Sequence, residues 1–271
     1  MQIRLLACEP NDPRVKAALQ RLPSDLNVSV VEYGSLLRSM NADPYVSALE
    51  ALRDGKIDIL VAGANIALSE FLPWVFSTFS TSRNETLLYS AASIEPKSER
   101  SPFLLVDPCV VPVPQAKELA TMAEGASQLY KALYAKSDPY VAVLSHATGL
   151  YRVHQDKLAS DAVHEMKRRS RVEVSDAILQ LDAAVCIKAA QRKAAHTSRR
   201  PNIMLCTDVG VANAIYKTLE MFGTASVQLS GAIMMGLNNG LIGLLPRTCE
   251  THQVSRLLSH LVRAKRGLLR L

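Results

Sequence analysis

Apolar and polar positions alternate along the chain in a pattern that predicts strands followed by helices. Near the N-terminus, QIRLLAC predicts a strand, and DPRVKAALQRL predicts a helix that Asp12 caps and Pro13 opens. NVSVVEY and IDILVAGAN predict two further strands, separated by the helix-periodic ADPYVSALEALRDG, which ends at Gly55. This β-α-β-α-β order is typical of a parallel sheet covered by helices.

The middle of the chain departs from this order. ETLLYSAAS and SPFLLVDPCVV are strand-like runs separated by the polar IEPKSER, which predicts a hairpin or an inserted sheet. A long helix is predicted in VPVPQAKELATMAEGASQLYKAL, and strands and helices then alternate through PNIMLCTDVGVANAIYKTLEMFG. From Gly231 onward the pattern predicts one strand, a loop carrying Arg247 and a closing helix. Because there is no linker or repeat, we expect a second domain to be an insertion.

Polar or small residues follow four of the predicted strands. They are Gly63-Ala64-Asn65, Ser145 to Thr148, Asp208-Val209-Gly210 and Arg247. Turns use such residues simply to cap the next helix, so each one has a structural interpretation. Parallel topology brings these ends to one edge of a sheet, where helix N-termini offer N–H groups to anions. An anion-binding site at this edge is therefore the second interpretation.

Composition narrows the class of protein. The chain has 271 residues, 48% of them hydrophobic and 5% aromatic, as expected of a soluble globular α/β protein. No stretch is long and apolar enough for a membrane span, and the N-terminal apolar run is too short for a secretory signal. We therefore expect a cytoplasmic protein with no membrane partner.

The net charge of +6 suggests an anionic ligand or partner. The excess lies in Lys167–Arg171, Gln191–Arg200 and the C-terminal tail, which are either solvated surfaces or contacts for a phosphate-rich ligand. Nucleic acid is the less favoured alternative, because no aromatic residues are interleaved with the basic runs.

The common catalytic signatures are absent from the sequence. There is no GxGxxG after the first strand, no GxxxxGK[ST] and no GxSxG, which excludes the usual dinucleotide, nucleotide and hydrolase classes. The five cysteines are far apart and include no CxxC pair, so we expect buried thiols and no metal site. His146 has two interpretations, a base or anion donor and a structural residue.

Several motifs in one order resemble the phosphate acetyltransferase and phosphate butyryltransferase family. AILQLDAAV and PNIMLCTDVGVANAIYKTLEMFG are similar to the family's G-x-Q-x-D-A-A and N-V-L-x-F-P-D-x-x-A-G-N-I-x-Y-K elements. DILVAGAN, FLLVDPCVVPVPQ, VAVLSHATG and GAIMMGLNNGLIGLLPRTCE resemble further family motifs in the same order. The resemblance extends from about Asp54 to Val262.

The resemblance implies a three-layer α/β/α fold, the two-domain fold of the isocitrate and isopropylmalate dehydrogenases, with a cleft between the domains. The first domain would comprise residues 1–75 and 232–271, and residues 76–231 would form the middle domain, through which a homodimer assembles. The family moves a short acyl group between coenzyme A and phosphate. Acyl-CoA and acyl phosphate would therefore be substrates, and no cofactor would be tightly bound.

The resemblance also implies site residues and shows departures from the family pattern. Arg247 matches an arginine that contacts phosphate, but Pro246 replaces a serine beside the reacting carbonyl, and Gln253 replaces an aspartate proposed to take the thiol proton. Glu250 or His252 would have to supply that base. The strand ends and the resemblance together give these candidates for substrate binding: Gly63, Asn65, Ser145, His146, Thr148, Asp208, Gly210 and Asn213.

Three functional hypotheses remain open at this point. The first is an active phosphate acyltransferase, and the second is a ligand-binding or regulatory relative without transferase activity, which Pro246 and Gln253 motivate. The third is nucleic-acid binding through the basic runs, which would depend strongly on salt.

Overall fold

The computed structural model describes residues 2–32, 34, 43–79, 87–98, 101–135, 137–145, 154–175, 178–185 and 199–269. The chain divides into two compact units, Met1–Leu88 with Leu229–Leu271, and Tyr89–Gln228. The strands of the described residues are β1 Ile3–Ala7, β2 Val28–Val30, β3 Ile59–Ala62, β4 Tyr89–Pro96, β5 Phe103–Val106, β6 Val141–Leu144, β7 Ile203–Cys206, β8 Val227–Met235 and β9 Leu241–Leu244. The helices are α1 Pro13–Gln20, α2 Pro44–Arg53, α3 Leu68–Phe79, α4 Ala116–Leu133, α5 His154–Arg169, α6 Leu181–Val185, α7 Val209–Phe222 and α8 Thr251–Leu268.

The first unit contains a mostly parallel sheet in the order β2-β1-β3-β9-β8. The first four strands are parallel and β8 is antiparallel to β9. Because connections between parallel strands are almost always right-handed, we expect α1 and α2 to lie on opposite faces of this sheet. Helix α1 packs with α8, and α2 packs with α3. The parallel order predicted for the N-terminal strands is therefore confirmed.

The segment after Gly231 contains two strands, so the prediction of a single strand there was wrong. Strand β8 turns into β9 through Gly236 and Gly240, whose φ angles are +83° and +73°. A Cβ atom on Gly236 would lie 2.0 Å from the carbonyl oxygen of Leu87, so only glycine fits this turn. The apolar residues on both sides had concealed the break.

The second unit contains strands in the order β4-β5-β7-β6. Strands β4 and β5 form the predicted antiparallel hairpin, and β5, β7 and β6 run parallel. Helix α4 packs on β5, β7 and α5, while α7 packs on β5 and β7. Helix α4 begins where the backbone N–H of Gln115 donates to Glu118 Oε2 at 2.6 Å, a capping contact just beyond the predicted proline-rich entry.

Most strands of both units are buried, because helices cover the sheets, whereas the edge strand β2 has no buried position. Strands β3, β6, β7 and β9 are buried at every position, as expected of parallel strands with both faces covered. None of the helices in the described ranges is long and apolar enough to cross a membrane.

Candidate functional site

The carboxyl ends of three adjacent parallel strands in the first unit carry polar residues. Glu9 follows β1, Gly63 to Asn65 follow β3, and Arg247 follows β9. Backbone hydrogen bonds hold these strand ends next to one another: Cys8 N donates to Val61 O and Leu245 N donates to Ala62 O, both at 2.8 Å. The structure therefore brings Gly63, Asn65 and Arg247 to one edge, as parallel topology requires.

Arg14 links the loops of this edge. Its Nη1 donates to the carbonyl oxygens of Arg247 at 2.7 Å and Cys249 at 3.1 Å, and its Nη2 donates to Ala64 O at 2.9 Å. Asp12 anchors the guanidinium through its two carboxylate oxygens at 3.0 and 2.8 Å. Hydrogen bonds from Arg14 hold the pKa of Asp12 below its usual value.

Glu9 is a buried carboxylate at the same edge. Its Oε1 accepts hydrogen bonds from Gly63 N and from the Tyr45 hydroxyl, each at 3.2 Å. Its Oε2 is buried and has no hydrogen-bond partner in the part of the chain that the structure describes. Burial and the neighbouring carboxylate of Glu9 raise the pKa of Tyr45. The Tyr45 ring stacks on that of Trp74, with 5.7 Å between the ring centroids. Sequence reasoning missed Glu9, in the turn after a predicted strand, and Arg14, in the first turn of the predicted helix that follows.

Gly63 has a geometric requirement for glycine. Its φ is +108°, and a Cβ atom would lie 2.5 Å from the carbonyl oxygen of Leu245. The loops after β3 and β9 therefore approach each other closely at a point where only glycine is tolerated. Gly63 contributes this close approach, and its N–H is taken by Glu9.

Arg247 differs from Arg14 in its surroundings. Its side chain is exposed, and within the described ranges no protein group accepts a hydrogen bond from its guanidinium. Its backbone is fixed by Arg14 through the carbonyl oxygen. A rigidly placed backbone with an unengaged planar cation suits the binding of an anion such as phosphate.

The start of α8 contains Gln253 and the two residues considered as a base, Glu250 and His252. Gln253 Oε1 accepts the backbone N–H of Glu250 at 2.7 Å, so the side chain that replaces the expected aspartate caps the helix. His252 Nδ1 lies 3.1 Å from Glu250 Oε2, and the two side chains are 60% and 76% exposed. Glu250 and His252 therefore form a pair in solvent, three and five residues after Arg247 in the chain.

In the second unit, the predicted site residues are engaged in local structure. Asp208 Oδ1 accepts the N–H of Val211 at 3.1 Å and caps α7. A Cβ atom on Gly210 would lie 2.9 Å from this oxygen, so Gly210 leaves room for the cap. Asn213 Nδ2 donates to Pro108 O at 2.8 Å and fixes the loop that follows β5.

Asp107 organises that loop. Its carboxylate accepts three backbone N–H groups, from Ser90 at 3.1 Å, Val110 at 3.1 Å and Val111 at 2.7 Å, together with the Ser90 hydroxyl at 2.9 Å. Burial raises the pKa of Asp107, while these donors act in the opposite direction. Asp107 has a φ of +52°, a conformation that Asp and Asn tolerate better than most residues. Asp107 is therefore a structural residue. It belongs to the motif FLLVDPCVVPVPQ, and the sequence alone had assigned it no role.

The polar turn after β6 lies only partly within the described residues. Ser145 is half-buried, and its N–H donates to Leu179 O at 3.0 Å, which joins this turn to the segment before α6. His146 and Thr148 lie outside the described residues.

The thiols near the strand ends are poorly suited to act as nucleophiles. Burial raises the pKa of Cys109 and of Cys206 to about 12, and raises the pKa of Cys8 as well. Since the thiolate is the nucleophilic form, these residues are inert at neutral pH. In the described ranges, no group of three His, Cys, Asp or Glu residues could hold a metal ion.

A pocket of about 1210 Å³ lies elsewhere in the second unit. It is lined by residues at the amino ends of β5 and β7, including Phe103 and Asn202, and by the inner face of α7, including Leu219. The predicted site residues that are described do not line it. Its position at the amino ends separates it from the strand ends considered above.

The basic run from Lys167 to Arg171 is largely neutralised by acidic partners. Arg168 pairs with Glu165 at 2.8 Å, and Arg171 pairs with Glu124 at 3.1 Å. Arg169 reaches Glu165 at 2.9 Å and Glu124 at 3.2 Å. These pairs fit the interpretation of this run as a solvated surface.

Comparison with solved structures defines the class to which this arrangement belongs. The chain superimposes on a phosphotransacetylase from Streptococcus pyogenes with a TM-score of 0.77 and 18% identity, covering 99% of this chain and 94% of that one. A branched-chain phosphotransacylase from Enterococcus faecalis V583 gives a TM-score of 0.74 and 19% identity, with 97% and 99% covered. The chain therefore has the α/β fold of the phosphotransacylases, and the predicted fold class is confirmed.

Sequence comparison then gives the family. The family described as "Phosphate acetyl/butaryl transferase" matches residues 7–258, so the chain belongs to it, as its motifs predicted. The phosphate acetyltransferase of Thermoanaerobacterium thermosaccharolyticum is 29% identical over 195 residues, 69% of this chain and 58% of that protein. That of Treponema pallidum is 26% identical over 222 residues, 78% of this chain and 65% of that protein. The match thus spans about three fifths of the length of these relatives.

Proposed function

We propose that this protein transfers a short acyl group between coenzyme A, or a related thiol, and phosphate. The observation that carries the proposal is the exposed guanidinium of Arg247, which has no hydrogen-bond acceptor among the residues that the structure describes. It stands on a loop fixed by Arg14, in a chain whose family match runs from residue 7 to 258. Two relatives that share 29% and 26% identity are phosphate acetyltransferases.

In the proposed reaction, the sulfur of the thiol attacks the carbonyl carbon of an acyl phosphate. A C–S bond forms, the C–O bond to the phosphoryl group breaks, and inorganic phosphate leaves with the electron pair. Arg247 holds the phosphate through its planar donor fork and stabilises the charge that develops on the leaving oxygen. The reverse reaction, attack of phosphate on a thioester, uses the same contacts.

The thiol proton requires an acceptor, and we assign it to His252. Glu250 lies 3.1 Å from Nδ1, so a proton on Nδ1 would be held by the carboxylate and Nε2 would be the free base. A positioned base of this kind contributes about 10²- to 10⁴-fold to a rate. Gln253 cannot take this role, because an amide is not a base and its oxygen caps α8.

The remaining predicted residues are proposed to shape the substrate site. At the sheet edge where Arg247 lies, Gly63 would contribute backbone and Asn65 would contribute its side chain to the substrate site. In the second unit, Ser145, Asp208, Gly210 and Asn213 surround the turns after β6 and β7, and Asp208 and Asn213 act there by fixing backbone. His146 and Thr148 keep their proposed roles as substrate contacts from the family motif.

We also propose a homodimer assembled through the second unit, in the cytoplasm. Helix α7 exposes Val211, Met221 and Phe222, the last to 83%, and such apolar exposure is typical of an interface. The four described cysteines are free thiols, which fits a reducing compartment. Sedimentation equilibrium should give twice the chain mass of 29.6 kDa, and cell fractionation should place the chain with cytoplasmic markers.

A transfer assay with Arg247→Ala tests the function. Release of free thiol from acetyl-, propionyl- and butyryl-CoA on addition of phosphate should be observed with the wild type. We expect kcat to fall about 10²- to 10³-fold in Arg247→Ala, the loss typical of removing one group that stabilises transition-state charge. Arg263→Ala removes the same charge from an exposed position of α8 and serves as the matched control. Absence of turnover with all three thioesters would refute the proposal.

The second candidate is a ligand-binding relative without transferase activity. Gln253 capping α8, and Pro246 in place of the expected serine, are the observations that favour it. Calorimetry with coenzyme A and with acetyl phosphate separates the two candidates. Binding that is lost in Arg247→Ala, without turnover in the wild type, would establish the binding protein instead.

A further inference from the structure

Arg14 uses all of its hydrogen-bond donors on the protein itself. A guanidinium has five N–H groups. Nε donates to Asp12 Oδ1 at 3.0 Å, and the two Nη2 hydrogens are directed to Asp12 Oδ2 at 2.8 Å and Ala64 O at 2.9 Å. The two Nη1 hydrogens go to Arg247 O at 2.7 Å and Cys249 O at 3.1 Å. Arg14 therefore has no donor left for an anionic substrate.

The acceptors of Arg14 belong to three different elements. Asp12 is the N-cap of α1, Ala64 lies in the loop after β3, and Arg247 and Cys249 lie in the loop between β9 and α8. One guanidinium therefore sets the position of the Arg247 backbone relative to the β3 loop. Its side chain is 25% exposed and that of Asp12 is 6% exposed, so water competes only weakly for these bonds.

A lysine could not replace this arrangement. Its ammonium has three donors that radiate from one atom, whereas the five acceptor oxygens used here follow the planar fork of a guanidinium. The loop from Pro246 to Glu250 has one further internal backbone bond, from Cys249 N to Pro246 O at 3.0 Å. Its orientation toward β3 therefore depends on Arg14.

We infer that Arg14 is the positioning residue of Arg247: it holds the loop so that the Arg247 guanidinium meets the phosphoryl group in a reactive orientation. This inference rests on the proposed function. Misplacing a reactant by about 1 Å can reduce a rate about 10²-fold, so loss of this anchor is expected to lower kcat strongly. The proposed function assigns Arg247 to the phosphate and not to the thiol, so we expect the KM for acyl-CoA to change little.

The experiment compares Arg14→Lys and Arg14→Ala with Arg21→Ala, an exposed arginine just after α1 that serves as the matched control. We expect kcat to fall about 10- to 100-fold in both Arg14 variants, with the KM for acyl-CoA within about twofold of the wild type. Added guanidinium ion at millimolar concentration should restore part of the activity of Arg14→Ala, whereas equal sodium chloride should not. If Arg14 only stabilised the fold in general, added guanidinium ion would not restore the activity of Arg14→Ala.

Hydrogen exchange gives a readout that does not depend on activity. In Arg14→Ala, the amide of Cys249 should exchange faster while that of Leu205 in β7 stays as in the wild type. Unchanged exchange at Cys249 would overturn the positioning role, and so would full activity in Arg14→Lys despite faster exchange. A wild type that turns over none of the three thioesters would instead overturn the proposed function, and the catalytic role of Arg14 with it.

Discussion

At the strand ends of the second unit, Asp208 and Asn213 use polar atoms to hold the protein's own backbone, whereas in the first unit Arg247 leaves its guanidinium in solvent. The strand-end pattern had marked Asp208 and Arg247 as candidates, and the family resemblance had added Asn213. These residues differ in which side chain fixes the loop at the strand end: Asp208 and Asn213 do so themselves, and Arg247 does not. In the first unit Arg14, from another element, performs that task, and the exposed guanidinium of Arg247 has no acceptor among the described residues.

The comparison shows how a strand end acquires a functional side chain. A polar residue that caps its own helix has little capacity left for a ligand, because a buried or half-buried hydrogen bond would have to be broken first. A residue whose backbone is held from outside keeps its side chain available. Substituting a residue that caps a helix or holds its own loop, in either unit, should therefore change stability, whereas substituting Arg247 should change activity.

Removing the Asp107 carboxylate should have the largest effect on stability. Asp107→Ala would leave the N–H groups of Ser90, Val110 and Val111 without their acceptor in the interior, and we expect a loss of about 3 kcal/mol. Asp107→Asn keeps one carbonyl oxygen and the tolerance for a positive φ, so it should lose about half as much. Urea unfolding followed by circular dichroism measures both. Equal losses in the two variants would show that the acceptor oxygens are unimportant.

Asp12→Asn should have the next largest effect, and it should depend on pH. The pKa of Asp12 is lowered by Arg14, so its stabilisation is fully present above the ordinary aspartate value and is lost as the pH falls through the lower folded value. We expect Asp12→Asn to be about 2 kcal/mol less stable than the wild type at pH 7, a value typical of hydrogen bonds to a charged group.

The difference between Asp12→Asn and the wild type should shrink as the pH is lowered below about 4, because the unfolded chain takes up a proton at Asp12 before the folded chain does. Unfolding curves at pH 7, 5 and 3 test the sign of this change. A difference that stays constant over this range would contradict the assignment of Asp12 as the charged partner of Arg14.

The smallest effect is expected at the cap of α7. Asp208→Ala should cost about 1 kcal/mol, as for other helix caps, while Asp208→Asn retains a capping oxygen and should lose only a few tenths. Neither variant should change kcat by more than about twofold if Asp208 is structural. A large loss of activity in Asp208→Asn at unchanged stability would show that the two strand ends are functionally alike.

Much of the local structure could be predicted because its causes are local. The N-cap Asp12 followed by Pro13, the apolar spacing of α2 and α7, and the β4–β5 hairpin all depend on neighbours in sequence. The break between β8 and β9 was missed because apolar residues continue through it, and the need for glycine at Gly236 comes from the distant Leu87 carbonyl. Helix α3 gave no clear signal, since it contains Pro73.

The sequence by itself determined the family and the strand ends at which chemistry would be sought, because motif order and hydrophobic period are properties of the chain alone. Only the tertiary structure decided which polar residues remain available there. The side chains of Asp208 and Gln253 accept the hydrogen bonds that cap α7 and α8. Arg14 donates five hydrogen bonds, to acceptors up to 235 positions away in the chain. Contacts between residues far apart in the sequence decide which side chains can still bind a ligand. These contacts form only when the fold brings separate strand ends together.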